Sequence, residues 1–165
     1  MTLTGRTIAD LAGALAGGRT TARALVEAAL ESIAKDATAF TRVNAERARA
    51  EADASDRARK RGEALGPLAG IPISVKDLFD IAGEPTPAGS TVLRNAPAAK
   101  VDAPTVARLR AAGAIVIGRT HMSEFAFTGL GLNPHGAVCA NARDGERVPG
   151  GSSSGAAVSV ARGQA

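Results

Sequence analysis

The residues best suited to chemistry in this sequence are a run of serines and a distant lysine. Residues 152–154 are three successive serines that follow Gly150 and Gly151, and a segment of small residues comes after them. The two glycines allow backbone conformations that other residues rarely adopt. Lys76 ends an alternating apolar segment much earlier in the chain. Hydroxyl and amine groups can transfer protons, or attack a carbonyl carbon, when the fold brings them together.

Two familiar catalytic motifs match the sequence formally but lack their context. Residues 151–155 fit the Gly-x-Ser-x-Gly nucleophile elbow of α/β hydrolases, with Ser153 as the nucleophile. No strand pattern leads into this segment, and no acid or histidine follows it. Ser32 and Lys35 fit the Ser-x-x-Lys pattern of penicillin-recognising enzymes, but they lie on the polar side of an amphipathic helix without the companion motifs. We attribute both matches to chance.

The sequence also argues against a bound phosphate or metal ion. A phosphate-binding Walker loop requires a lysine directly after its second glycine, and the glycine-rich turn has none. His121, His135 and Cys139 are too loosely spaced for a zinc site. We therefore expect no metal and no cofactor.

The composition is that of a globular protein. The 165 residues are 45% hydrophobic and 22% charged, which is enough chain for one ordinary domain. The net charge is +4, but arginines alternate with acidic residues between positions 42 and 63, and only 2% of residues are aromatic. This pattern does not favour a nucleic-acid-binding surface.

The single cysteine, Cys139, excludes an internal disulfide and is typical of a reducing compartment. The first residues lack the cationic start and long apolar stretch of a secretory signal, and no segment has the length of a membrane span. We therefore predict a cytoplasmic protein that does not contact a membrane.

Residues 1–67 are predicted to form a helical segment. Thr7 and Asp10 indicate the start of a first helix that ends at Gly17, with Ile8, Leu11 and Leu15 on one face. Thr21 is a suitable N-cap for a second amphipathic helix. A third, charged helix is expected over residues 43–61.

Residues 68–165 are predicted to form an α/β unit. Residues 71–76 alternate like a strand, residues 102–104 are typical of a helix start with Asp102 as its cap, and residues 114–117 form a short apolar run. Strand, crossover helix and buried strand together indicate a parallel sheet. A short helix is expected within residues 121–127, followed by a long loop over residues 129–148.

From about Leu68 onward the chain resembles the amidase signature family. Five ordered blocks carry the resemblance: residues 70–77 (GIPISVKD), 102–109 (DAPTVARL), 113–120 (GAIVIGRT), 123–126 (SEFA) and 150–163. Members of this family hydrolyse amides, or release ammonia from glutamine in the A subunit of the tRNA-dependent amidotransferase. The resemblance implies part of a mixed β-sheet core flanked by helices, truncated here.

The resemblance also implies roles for individual residues. Lys76 matches the catalytic lysine of the family, and Ser152 matches its bridging serine, which follows a cis peptide bond. Gly150, Gly151 and Ser153 match the supporting turn. The attacking serine of the family lies about two dozen residues further on, in a second Gly-Gly-Ser turn, and is absent from these 165 residues.

Three expectations follow from this match. The 165 residues alone should have no amidase activity. The strand at residues 114–117 and the helix after Gly155 should leave apolar surface exposed, through which copies of the chain could associate. The substrate class is a small-molecule amide; the alternatives are the A subunit of an amidotransferase, with tRNA as a partner, and a non-catalytic binding or regulatory module.

Overall fold

Five α-helices and three strands make up the regular structure of residues 2–137 and 139–165, the part of the chain that the computed structural model describes. In chain order they are α1 (Ile8–Ala16), α2 (Ala22–Lys35), β1 (Phe40–Val43), α3 (Ala45–Lys60), β2 (Pro72–Lys76), α4 (Pro104–Ala111), β3 (Ile115–Thr120) and α5 (Ser154–Ala161). A single 3-10 turn spans Glu124–Ala126. The loop predicted over residues 129–148 contains no helix or strand among its described residues.

The first two helices begin where the sequence predicts. The Thr7 hydroxyl accepts a hydrogen bond from the Asp10 backbone N–H, and the Asp10 carboxylate accepts one from the Thr7 backbone N–H. Leu11 and Leu15 are buried as expected, but Ile8 is 55% exposed. Ile8 is the first residue of α1 and does not belong to the hydrophobic core.

A short strand, β1, lies within the segment predicted to be only helical. It pairs antiparallel with β3, and β2 pairs parallel with the other side of β3, giving the order β1-β3-β2. The structure therefore confirms the predicted mixed sheet and its parallel strand-helix-strand unit. The third helix begins at Ala45 because residues 40–43 are engaged in the sheet.

The central strand, β3, is buried along its whole length. The expectation that this segment would expose apolar surface is wrong, because hydrophobic clusters cover its side chains on both faces of the sheet. For α5 the expectation holds in part: Val158 is 3% exposed, whereas Val160 is 62% exposed.

Alternate residues of β3 enter two hydrophobic clusters on opposite faces of the sheet. Ile115 and Ile117 belong to the larger cluster, which includes the buried faces of α1, α2 and α3 and Val158 of α5. Val116 belongs to a smaller cluster with Val106 of α4.

Asp102 does not cap α4, contrary to the sequence prediction. Ala103 occupies the N-cap position, with Pro104 in the first turn. The Asp102 carboxylate instead accepts a hydrogen bond from the Ala82 N–H at 2.8 Å and pairs with Arg110 at 3.3 Å. It thus ties the loop after β2 to α4.

Within the described residues, none of the helices combines the length and the hydropathy that crossing a bilayer requires.

Glu27 of α2 provides a pH-dependent contribution to stability. Its carboxylate accepts hydrogen bonds from Arg49 at 2.8 and 2.9 Å and from Arg23 at 2.7 Å. These bonds, Arg49 first, lower the pKa of Glu27 from 4.5 to about 2. Since the folded state has the lower pKa, the stabilisation is complete above pH 4.5 and is lost as the pH falls through about 2.

We therefore expect the Tm difference between the protein and Glu27→Gln to be largest above pH 4.5 and to disappear below about pH 2. Thermal unfolding followed by circular dichroism across this range measures it. A difference that stays constant with pH contradicts the prediction.

Candidate active site

Lys76 and Ser152 lie side by side although 76 positions separate them in the chain. Lys76 is the last residue of β2, and Ser152 lies two residues before α5. The lysine Nζ donates a hydrogen bond to the serine Oγ at 2.7 Å. This separation allows a proton to pass between the two groups.

The segment that follows β3 holds both residues in place. The Thr120 carbonyl accepts a hydrogen bond from the Asp77 N–H at 3.2 Å, next to Lys76. The Ser123 N–H donates to the Ser152 carbonyl at 3.1 Å. Residues 120–123 thus bond the ends of both elements that carry the pair.

The turn before α5 has the geometry that its glycines allow. Gly150 has φ +76°, and the Gly151–Ser152 peptide bond is cis. A Cβ on Gly151 would lie 2.7 Å from the backbone of Gly131, so a larger residue does not fit there. Ser153 is exposed, and its hydroxyl does not cap α5; its carbonyl accepts the hydrogen bond from the Ala157 N–H.

Gly155 sets how closely α5 approaches the sheet. A Cβ on this residue would lie 2.2 Å from the Ala39 carbonyl oxygen and 2.6 Å from the His121 nitrogen, both backbone atoms. The Gly155 N–H donates to the His121 carbonyl at 3.0 Å. The first turn of α5 therefore packs directly against the backbone beyond β3.

Gly155→Ala is expected to destabilise the fold by about 1–3 kcal/mol, because neighbouring backbone must move to admit the methyl group. Urea unfolding measures the loss. Gly129→Ala is the matched control, since a Cβ there meets no atom within 4 Å. Equal stabilities for the two variants would contradict the close approach of α5.

Burial lowers the pKa of Lys76 from the ordinary lysine value of 10.5. The side chain is half-buried, and removing an ammonium group from water disfavours its charged form. A neutral amine can accept a proton, so this change favours Lys76 as a base.

A buried ionic cluster that the sequence analysis missed lies next to Lys76. Arg119 of β3 donates from Nε to Glu84 at 2.9 Å, and its Nη1 lies 3.5 Å from the Asp77 carboxylate. Each of the three side chains is at most 6% exposed. Burial raises the pKa of Asp77, while the Gly89 N–H and Arg119 act in the opposite direction. An arginine within an apolar strand was the available signal.

Among the described residues, the side chains of the histidines and the cysteine make no hydrogen bond to Lys76 or Ser152. His135 Nε2 is 3.2 Å from the Glu124 carboxylate. Burial lowers the pKa of His121 and raises the pKa of the Cys139 thiol. In the part of the chain that the structure describes, no three His, Cys, Asp or Glu side chains are grouped so that they could hold a metal ion.

Comparison with known proteins identifies the family. The family model for amidases matches residues 24–165. The chain belongs to the amidase family. This confirms the resemblance drawn from the sequence motifs and extends it upstream into α2.

Relatives in the amidase family are similar over most of this chain. AtzE, the 1-carboxybiuret hydrolase subunit of Pseudomonas sp. (strain ADP), is 50% identical over 153 residues, covering 91% of this chain and 34% of the relative. The A subunit of the glutamyl-tRNA(Gln) amidotransferase of Anaeromyxobacter sp. (strain K) is 47% identical, covering 85% of this chain and 29% of the relative.

The solved structures agree with this assignment. An inhibitor-bound protein complex, described in connection with the evolutionary origins of an s-triazine catabolic enzyme, superimposes with a TM-score of 0.93 at 46% identity. The match covers 96% of this chain and 35% of that chain. This member of the amidase family thus spans about a third of the length of the relatives it matches.

Proposed function

We propose that Lys76 and Ser152 are two members of the proton relay of an amide-hydrolysing enzyme. The observation that supports this most directly is the 2.7 Å separation of Nζ and Oγ. The lowered pKa of Lys76 adds to it, because a relay of this kind begins with a neutral amine. Membership of the amidase family supplies the reaction class.

In the proposed reaction the neutral Lys76 amine accepts the proton of the Ser152 hydroxyl. Ser152 in turn accepts the proton of an attacking serine, whose oxygen forms a bond to the amide carbonyl carbon. The carbon–nitrogen bond then breaks, and the relay returns a proton to the leaving amine. Water hydrolyses the resulting ester by the same route. Gly150, Gly151 and Ser153 shape the turn that carries Ser152.

The attacking serine is not among these 165 residues, since Gly150–Ser152 is their only Gly-Gly-Ser sequence. We propose that residues 1–67 and 68–165 are an N-terminal segment and the first part of the catalytic core. No cofactor or metal takes part in the proposed relay. We further propose that the protein is cytoplasmic and that its copies associate through exposed apolar side chains such as Val160.

We propose a small linear amide as the substrate. AtzE, which is 50% identical, belongs to a hydrolase by name. The alternative is glutamine hydrolysis in the A subunit of an amidotransferase, with tRNA as a partner, and 47% identity to a protein of that name supports it. A non-catalytic binding or regulatory role is the remaining alternative.

A hybrid protein tests the proposal. In it these 165 residues replace the matching third of AtzE, so that the rest of AtzE supplies the missing part of the enzyme. We expect the hybrid to hydrolyse 1-carboxybiuret and the 165 residues alone to release no ammonia from simple amides. Ammonia release by the short chain, or a folded hybrid without activity, would overturn the proposal. Ammonia transfer to charged tRNA in an amidotransferase hybrid would favour the alternative.

A further inference from the structure

Two serines form a side-chain hydrogen bond between β2 and α5, next to the relay. Ser74 Oγ and Ser159 Oγ are 3.1 Å apart although 85 positions separate them in the chain. Ser74 precedes Lys76 by two residues, so both side chains point to the same face of β2. Ser159 lies in α5, seven residues after Ser152, and is fully buried.

Counting protons fixes the direction of this bond. The Ser159 hydroxyl donates to the Ala156 carbonyl at 2.8 Å. A hydroxyl has a single proton, so the Ser159 oxygen must accept the proton of Ser74. The result is an ordered chain from Ser74 through Ser159 to the backbone of α5.

This bond restricts how α5 can lie along the sheet. Gly155 and Ser159 are four residues apart and share one face of the helix. Gly155 fixes the approach of the first turn, as described above, and Ser159 fixes the second turn against β2. Apolar contacts persist when a helix shifts slightly along its axis, whereas a hydrogen bond is lost once the donor and acceptor are more than about 3.5 Å apart. Two contacts one turn apart therefore set the position of α5, and with it the position of Ser152.

We propose that Ser74 and Ser159 are positioning residues that set the Lys76–Ser152 separation by holding α5 in register with β2. This inference rests on the proposed function. Neither serine touches the reacting atoms; both act through the elements that carry the relay. A displacement of about 1 Å in a catalytic group can reduce a rate about 100-fold.

The first test uses the 165-residue chain and a nuclear magnetic resonance titration of the Lys76 side chain. In the unmodified chain its pKa should lie below 10.5. Ser74→Ala and Ser159→Ala should each raise it, because a displaced α5 admits water to the amine. The double variant should raise it no further than a single one, since both remove the same bond.

Two controls separate positioning from general stability. Ser74→Thr keeps a hydroxyl at a strand position and should retain the original Lys76 titration. Ser55→Ala removes a buried hydroxyl of α3 that has no hydrogen-bond partner among the described residues, and should leave the titration unchanged. An unaltered Lys76 pKa in Ser74→Ala and Ser159→Ala overturns the inference, as does an equal change in Ser55→Ala.

The second test uses the hybrid with AtzE and separates this inference from the proposed function. Ser159→Ala should lower kcat by between about 10-fold and about 100-fold and leave KM nearly unchanged. If Lys76→Met leaves the hybrid fully active, the proposed function fails. If Lys76→Met inactivates the hybrid while both serine-to-alanine variants keep full kcat, only the positioning role fails.

Discussion

Replacing Lys76 with methionine is expected to lower kcat/KM of the AtzE hybrid by about 10²- to 10⁴-fold. Methionine preserves the length and apolar body of the side chain but offers no amine to accept the Ser152 proton. Ser152→Ala should cost a similar factor, because each change breaks the same relay, and the two losses should not add in the double variant. Steady-state ammonia release measures all three.

The pH dependence of the hybrid gives an independent check on this prediction. If neutral Lys76 is the base, kcat/KM should rise with pH to a plateau, with an apparent pKa below 10.5. Lys60→Met alters an exposed lysine at the end of α3 and should leave kcat/KM unchanged. Activity of Lys76→Met within a factor of about two of the unmodified hybrid would refute the role of this residue.

Arg119→Met is expected to lower the free energy of unfolding by about 3–5 kcal/mol. The Asp77 and Glu84 carboxylates would stay buried without the positive charge of Arg119 beside them. Arg47 lies 3.4 Å from Glu84 and balances part of its negative charge, but it forms no ion pair with Asp77 in the structure. Urea unfolding of the 165-residue chain measures the loss.

The matched control for this prediction is Arg61→Met. Arg61 pairs with Glu63 at the surface, where solvent screens the charges, so its replacement should leave the unfolding midpoint almost unchanged. A loss of less than about 1 kcal/mol in Arg119→Met would show that the buried cluster does not stabilise the fold as its geometry indicates.

Local patterns predicted the elements whose determinants lie close together in the chain. The cap formed by Thr7 and Asp10 involves residues three apart, and the apolar run at residues 114–117 marks a strand by composition alone. β1 was missed because its four residues alternate only weakly, and its strand character depends on pairing with β3 far along the chain.

For the site as well, local motifs identified some residues, whereas contacts between residues far apart in the chain could not be predicted. Lys76 and Ser152 were found through motifs, but their hydrogen bond depends on the distance between β2 and α5, which no local pattern encodes. The cluster around Arg119 joins residues 35 and 42 positions apart in the chain. The bond between Ser74 and Ser159 depends on the position of α5 along the sheet. No sequence pattern around either serine distinguishes it from a serine at the protein surface.

The hydrogen bonds that residues 120–123 make to both sides of the relay have a mechanical consequence. Because the Asp77 N–H and the Ser152 carbonyl bond to the same short stretch of backbone, a displacement of that stretch carries amine and hydroxyl along together. We therefore expect this shared anchor to limit relative movement of the end of β2 and the turn before α5, while the bond between Ser74 and Ser159 holds the rest of α5 against β2.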